Sequence, residues 1–451
     1  MQTHESLEIK LDSFALPERQ ATLKTLMAMR PEPPPTGVNV NMHFHSFFSY
    51  NAKGWSPSRI AWEARKAGLY AAALCDFDVL DGMEEFIEAG LTVGLRTAVH
   101  VETRAYLKEY AHAEINSPGE PGVTYIMGAG FVRMPAAGSN TARTLQHLRD
   151  QADARNRALV QRINPAVGLA AVDYEKDVVP LSPGRCPTER HLVRAYVMKS
   201  RSAFPVEADW TAFWAALFGK GPDEVRKLAG NQPALEERVR GKLVKKGGIG
   251  YEPPTDLSFP LVDDFVQWVR ACEAIPMAAW LDGTTPGEGD PGGLLGCLRA
   301  KGVAAVNIIP DRNWNFIDPA VRALKISKLK DYVEAAEALA MPINIGTEMN
   351  RDGLPFVDDL TGEALKPHRA LFIQGAQIMV GHGILSRYAG FSYVGGPATK
   401  EFGVDIRAKN AFFAAVGALP SLTRNEAEAF VVKGPAQALD VIRKAVKTGK
   451  W

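Results

Sequence analysis

Seven times along this chain a short apolar run ends in polar side chains and gives way to a helix-like segment. The runs are GVNVNMHFH (37–45), LYAAALCDFD (69–78), LRTAVHVET (95–103), VTYIMGAG (123–130), IPMAAWLDG (275–283), VAAVNIIPDR (303–312) and MPINIGTEMN (341–350). Strands alternating with helices predict a parallel α/β fold. The first connection, SPSRIAWEARKAG, reads as a helix capped by Ser56, with Pro57 in its first turn and Gly68 at its end. In a closed parallel barrel the chemistry gathers at the C-terminal ends of the strands. The polar residues fall there: His43, His45, Asp76, Asp78, Glu102, Asp282, Asp311, Arg312, Glu348 and Asn350. An open doubly wound sheet would gather them too. No GxGxxG or GxxxxGK[ST] follows any run, so a nucleotide-binding sheet is the weaker reading.

The spacing breaks once, between residues 130 and 275, far beyond an ordinary βα connection. Helical patterns fill that gap, which predicts a helical insertion at about 131–260 within a barrel spanning 37–360. Residues 1–36 predict an N-terminal helix and a stiff Pro-rich linker, PEPPPTG, and residues 361–451 a helical segment packed on the barrel. With 52 basic against 51 acidic residues, bulk charge gives no signal for nucleic acid or an anionic membrane. No apolar run approaches the ~20 residues of a membrane span. The N-terminus lacks the basic start and apolar core of a secretory signal, and Cys75, Cys186, Cys272 and Cys297 lack CxxC spacing. Both features predict a cytoplasmic protein with free thiols.

Side chains two apart on a strand face the same way, so His43 and His45 point together. Paired neutral imidazoles suit one divalent metal ion such as zinc, manganese or iron. The alternative is a pair of histidines satisfied by hydrogen bonds beneath a lid. Glu102 shares parity with His100, and an interior glutamate is costly unless paired or metal-bound. Asp76 and Asp78 flank Phe77, and Asp78 reads as a turn cap. Glu348 and Asn350 again share a face. Arg312 offers a fork for an anionic group, unless Asp311 holds it or it lies in solvent. His191, in ERHLVRAY, reads as helical surface; His4, His112, His147, His368 and His382 read as structural, and ADWTAFWAALF as insertion core.

The ordered series HFH, CDFDVLDG, Glu102, TYIMGAG, PTERHLVRAY (187–196), AAWLDG and GTEMN resembles the successive motifs of the PHP (polymerase and histidinol phosphatase) superfamily. The resemblance covers roughly 37–130 and 260–360 and implies a distorted TIM-like (β/α)7 barrel. It also implies a site for up to three metals, but this chain departs from the pattern. The family's TDHD is CDFD here, so Phe77 stands where a ligand histidine is expected; Tyr125 and Trp280 likewise replace histidines. Glu348 and Asn350 stand for an aspartate and a histidine. One metal position then remains, made by His43, His45, Glu102 and Glu348.

The expectation is a metal-dependent hydrolase, of phosphoesters, acting on a small phosphorylated or other small anionic molecule. Arg312 and Asn350 would hold the substrate, and Asp76 or His100 would handle a proton. The rivals are a catalytically inactive ligand-binding or scaffold protein on the same barrel, and an enzyme using its carboxylates without metal.

Overall fold

A computed structural model describes residues 3–29, 32, 34–255 and 258–451. Residues 31 and 33 of the expected linker lie outside the described residues, as do 1–2 at the start and 30 at the end of the expected N-terminal helix. That helix is two helices, His4–Lys10 and Leu16–Met29.

The seven runs form the strands β1 (Val40–Phe44), β2 (Ala71–Phe77), β3 (Arg96–Tyr106), β4 (Val123–Ala129), β5 (Ile275–Trp280), β6 (Ala305–Ile308) and β7 (Ile343–Ile345). They pair in sequence order in one seven-stranded sheet. A parallel bridge between Phe44 and Glu348 brings the last strand back to the first and completes a distorted TIM-like barrel. Most strands are apolar and buried on both faces, as strands covered by crossover helices must be. The predicted helix after β1 spans Pro57–Lys66, and the Ser56 side chain accepts from the Arg59 N–H.

One expectation about direction fails. β4 runs antiparallel to both β3 and β5, while the other ladders are parallel. The reason lies in the link from Tyr106 to Val123, which holds a 3₁₀ turn at Lys108–Tyr110 and a run of turn residues but no crossover helix. Without a crossover the chain can only turn back on itself. The start of β4, with Tyr125, therefore lies at the mouth of the barrel, and its Gly130 end lies at the base.

From the base, the helix Asn140–Val167 carries the chain back up; its 28 residues span about 42 Å. Leu145 and Leu148 on its first half belong to the barrel core, while Val160, Ile163 and Val167 belong to a second core. That second core contains Trp210 and Trp214, whose indole N–H groups both donate to Ser200 Oγ, at 3.0 and 3.1 Å. The insertion is thus a helical unit with its own apolar centre. The base is plugged by the helix Arg369–Ala389, which packs on β1, β2, β3 and β7. There His382 Nε2 donates to the Gly130 carbonyl at 3.0 Å, and its Nδ1 accepts from the Tyr393 N–H at 3.1 Å. A neighbouring helix, Ile406–Ala418, crosses this one so closely that a Cβ at Gly417 would fall 1.8 Å from the Gln377 carbonyl oxygen.

Candidate metal centre

His43 ends the inward column of β1, His45 lies one residue beyond that strand, and Glu102 sits midway along β3. The three side chains converge: Glu102 Oε2 is 3.3 Å from His43 Nε2 and 3.4 Å from His45 Nε2. Both histidines are 0% exposed and Glu102 1%. Among the described residues these three form the group whose ligand atoms lie within 4.8 Å of one another. None of those three atoms has a hydrogen-bond partner.

The surrounding bonds explain why. Ser49 Oγ donates its one hydrogen to Asp76 Oδ1 at 2.7 Å, so it must accept from His45 Nδ1–H, 3.2 Å away. His43 Nδ1 faces Asn307 Oδ1 at 2.9 Å and donates to it. Each imidazole therefore spends its N–H outward and turns an Nε2 lone pair toward a carboxylate oxygen. Three electron-rich atoms are left facing one point, a buried arrangement that a cation neutralises. Ligands at zinc-like bond lengths around a tetrahedral ion lie about 3.3 Å apart, so the observed spacing fits such an ion.

The electrostatics show the same pull on positive charge, here as a proton on His43 that a bound cation would displace. Burial acts to lower the His43 pKa, yet Cys75 and Glu102 beside it raise it well above the usual histidine range. Cys75 remains a neutral thiol, pushed up to about 12 by burial, so Glu102 is the effective anion near neutral pH. Burial would raise the Glu102 carboxyl in turn, but the two imidazoles bring it down to about 2.

The other expected residues fall around this group in different ways. On β2, Phe77 faces the pocket, stacked on His45 with ring centroids 4.7 Å apart. Asp76 therefore points out of the barrel, where it accepts from the Ser46 N–H, the Ser46 hydroxyl and the Ser49 hydroxyl, all at 2.7 Å. This corrects the expectation that Asp76 handles a substrate proton: all of these bonds serve the loop that carries His45. His100 is corrected as well. It lies one inward position below Glu102, about 6.8 Å down the strand, between His43 and His382. Burial and those two histidines lower its pKa to about 3, which leaves a neutral ring shut inside the barrel.

Glu348 stands beside the group of three without belonging to it. Its Oε2 is 2.8 Å from Arg312 Nη2, so Arg312 pairs with Glu348 rather than with Asp311. Burial would raise the Glu348 carboxyl, but Arg312 and His43 outweigh burial and hold it low. The shared face expected for Glu348 and Asn350 does not exist. β7 stops at Ile345, and Glu348 and Met349 both adopt left-handed backbone, with φ of 62° and 54°. Asn350 follows, half-buried. Trp280 is buried and stacked on Tyr332 at 4.5 Å, and the ring of Tyr125 lies 6.0 Å from that of Phe77.

Sequence reasoning passed over Asn307 and Ser49, which orient the two imidazoles, Ser46, which anchors Asp76, and Arg104. Parity with Glu102 was the available signal for Arg104, which lies one inward position nearer the mouth and holds Glu120 at 2.9 Å. The insertion covers this mouth. Tyr50, on the loop after His45, donates to Glu236 at 3.2 Å and packs edge-on against His191. His191 is buried at the cap of its helix, its Nδ1 accepting from the Thr188 N–H at 3.0 Å, rather than on a surface as expected.

Because Ser49 is the hinge between Asp76 and His45, Ser49→Ala frees the imidazole to rotate and to change tautomer. Metal affinity is expected to fall about 10–100-fold in a calorimetric titration with Mn²⁺, the usual effect of losing an outer-shell partner, while the far-UV spectrum stays unchanged.

No family model matches this chain, and no curated protein matches it. Solved structures similar to it include a protein named as a metal-dependent phosphoesterase from Bifidobacterium adolescentis. It is 16% identical, with a TM-score of 0.46, over 76% of this chain and 98% of that one. An amidohydrolase from Chromobacterium violaceum, solved with bound sulfate and no metal, is 16% identical with a TM-score of 0.48, over 74% of this chain and 95% of its own. Both are similar in general outline, and the reading of the site rests on its own residues. Among the described residues no helix is long and apolar enough to cross a membrane.

Proposed function

We propose that this protein is a metal-dependent hydrolase that holds one divalent ion on His43, His45 and Glu102 and acts on a small phosphorylated or similarly anionic molecule. The observation that carries the reading is the convergence of three buried, unpartnered ligand atoms at 3.3 and 3.4 Å. A divalent ion bound there supplies a Lewis acid and lowers the pKa of a water toward about 7. The chain's own residues do the rest. Asn307 and the Asp76–Ser49 relay fix the two rings. Arg312 keeps its Nε–H unpartnered and 38% of its side chain exposed, so it can take an oxyanion in its fork beside the three ligands. Asn350, two residues beyond Glu348 and half-buried, can add an amide N–H. The insertion narrows the mouth through Tyr50, Glu236 and His191 and leaves Arg312 open to solutes.

The test is metal loading followed by turnover. After incubation with Mn²⁺, Zn²⁺ or Fe²⁺ and desalting, close to one ion per chain is expected, and hydrolysis of a generic aryl phosphoester should follow the ion content. Trace metal only, under all three conditions, removes this function.

A second reading has an observation of its own. Phe77 covers His45 where the PHP resemblance expects a ligand, which favours a ligand-binding or scaffold protein without turnover. His43→Ala combined with Glu102→Ala separates the two: a binding protein keeps its anionic ligand, and a hydrolase loses its activity.

A further inference from the structure

We propose that the Arg312–Glu348 ion pair is a latch: an anion arriving at Arg312 releases Glu348, which then becomes the fourth ligand of the ion on His43, His45 and Glu102. This rests on the metal-dependent reading above.

Glu348 is built into the site by its backbone. Its N–H donates to the His43 carbonyl at 2.8 Å, and its own carbonyl accepts from the His45 N–H at 2.9 Å. The residue is thus bracketed by the two histidines. The adjoining Met349 carbonyl also accepts from the Ala52 N–H at 2.9 Å. Two consecutive non-glycine residues in left-handed backbone are strained and persist only where the surroundings over-determine them. Here the bridge to β1 does so, and it keeps the carboxylate beside the imidazoles. The side chain nevertheless spends its Oε2 on Arg312, outside the group of three.

The pair is asymmetric. The Glu348 side chain is 8% exposed and the Arg312 side chain 38%, so a solute anion meets Arg312 first. Pairing that anion with Arg312 leaves Glu348 as a buried carboxylate with no counter-charge, a state the site must relieve. The relief at hand is the cation. Two neutral imidazoles and Glu102 leave a divalent ion with one uncompensated positive charge, which Glu348 cancels. A single partner exchange converts Arg312–Glu348 into Arg312–anion and Glu348–metal, and the charge of the incoming anion cancels the one the ion had left uncompensated. Metal and anion then strengthen each other's binding by the same factor.

The experiment is a calorimetric titration of the full-length protein with Mn²⁺, with and without saturating methylphosphonate, for wild type, Arg312→Gln, Glu348→Gln, the double variant and Arg312→Lys. In wild type, methylphosphonate should tighten Mn²⁺ binding about tenfold, within the usual range of coupling between sites. Arg312→Gln should bind Mn²⁺ about that much more tightly with no anion present, because Glu348 is already free. Glu348→Gln should bind as wild type does without anion and gain little from it. The double variant should lose the gain of Arg312→Gln, and Arg312→Lys should restore the wild-type behaviour. Two results overturn the latch: no tightening in Arg312→Gln, or a double variant as tight as Arg312→Gln, which would assign the gain to removal of a positive charge alone. Absence of Mn²⁺ binding in every protein overturns the metal-dependent reading instead, so the two failures are distinct.

Discussion

Replacing Glu102 by alanine is expected to abolish metal binding. This carboxylate is the shared partner of both imidazoles, 3.3 and 3.4 Å from their Nε2 atoms, and the one anion in the group of three. Without it a divalent ion would rest on two neutral rings in a buried pocket, with its charge uncompensated. Metal affinity should drop by about a thousandfold or more, well beyond the 10–100-fold typical of outer-shell losses. The measurement is metal content after loading and desalting, with hydrolysis followed in parallel. A variant that still retains one ion per chain places the ion elsewhere and ends the assignment. Folding should survive, because the carboxylate and the proton it holds on His43 leave together, so no unpaired charge stays buried.

Gly346→Ala is expected to damage both fold and site. A Cβ at this position would lie 2.3 Å from His43 Cβ, 2.5 Å from the His43 backbone nitrogen and 2.6 Å from Asn41 Oδ1. These atoms belong to the β1 backbone and to a side chain locked by four bonds: Asn41 Oδ1 accepts from His43 and Thr347, and its Nδ2 donates to Thr347 and Phe356. Nothing there can step aside cheaply. A loss of about 3–5 kcal/mol is expected, in the range of severe core disruptions. Chemical denaturation gives that number, and metal loading should fall with it because His43 is pushed off its position. A denaturation midpoint equal to wild type would show that the two strands are not packed as described.

Much of the architecture was legible in the sequence because the strand ends and the helix after β1 are locally encoded. SPSRIAWEARKAG carries its own cap, its own first-turn proline and its own stop, and the helix Pro57–Lys66 forms where those signals put it. The direction of β4 was misread because the pattern of a buried strand is the same whichever way it runs. The turn-rich link before it, NSPGEPG, was the clue. Around the site, parity worked where the backbone stayed extended: His43 with His45, and His100 with Glu102. It also held the correction for Asp76, since Phe77 occupies the inward position on β2 and its neighbours must turn away. Parity could not work for Glu348 and Asn350, because left-handed backbone at two successive residues destroys the alternation. The Asp76–Ser49–His45 relay and the pairing of Arg312 with Glu348 join residues from separate loops, and no local pattern in the chain announces them.

β7 is three residues long, and the cylinder is joined across β7 and β1 by the backbone pair at Phe44 and Glu348. That joint is its narrowest seam. His43 and His45 sit on one lip of it and Glu348 on the other, with Glu102 facing them from two strands away. An ion held at this spot is therefore also a clasp, and emptying the pocket should loosen the hoop at the place where its two ends meet.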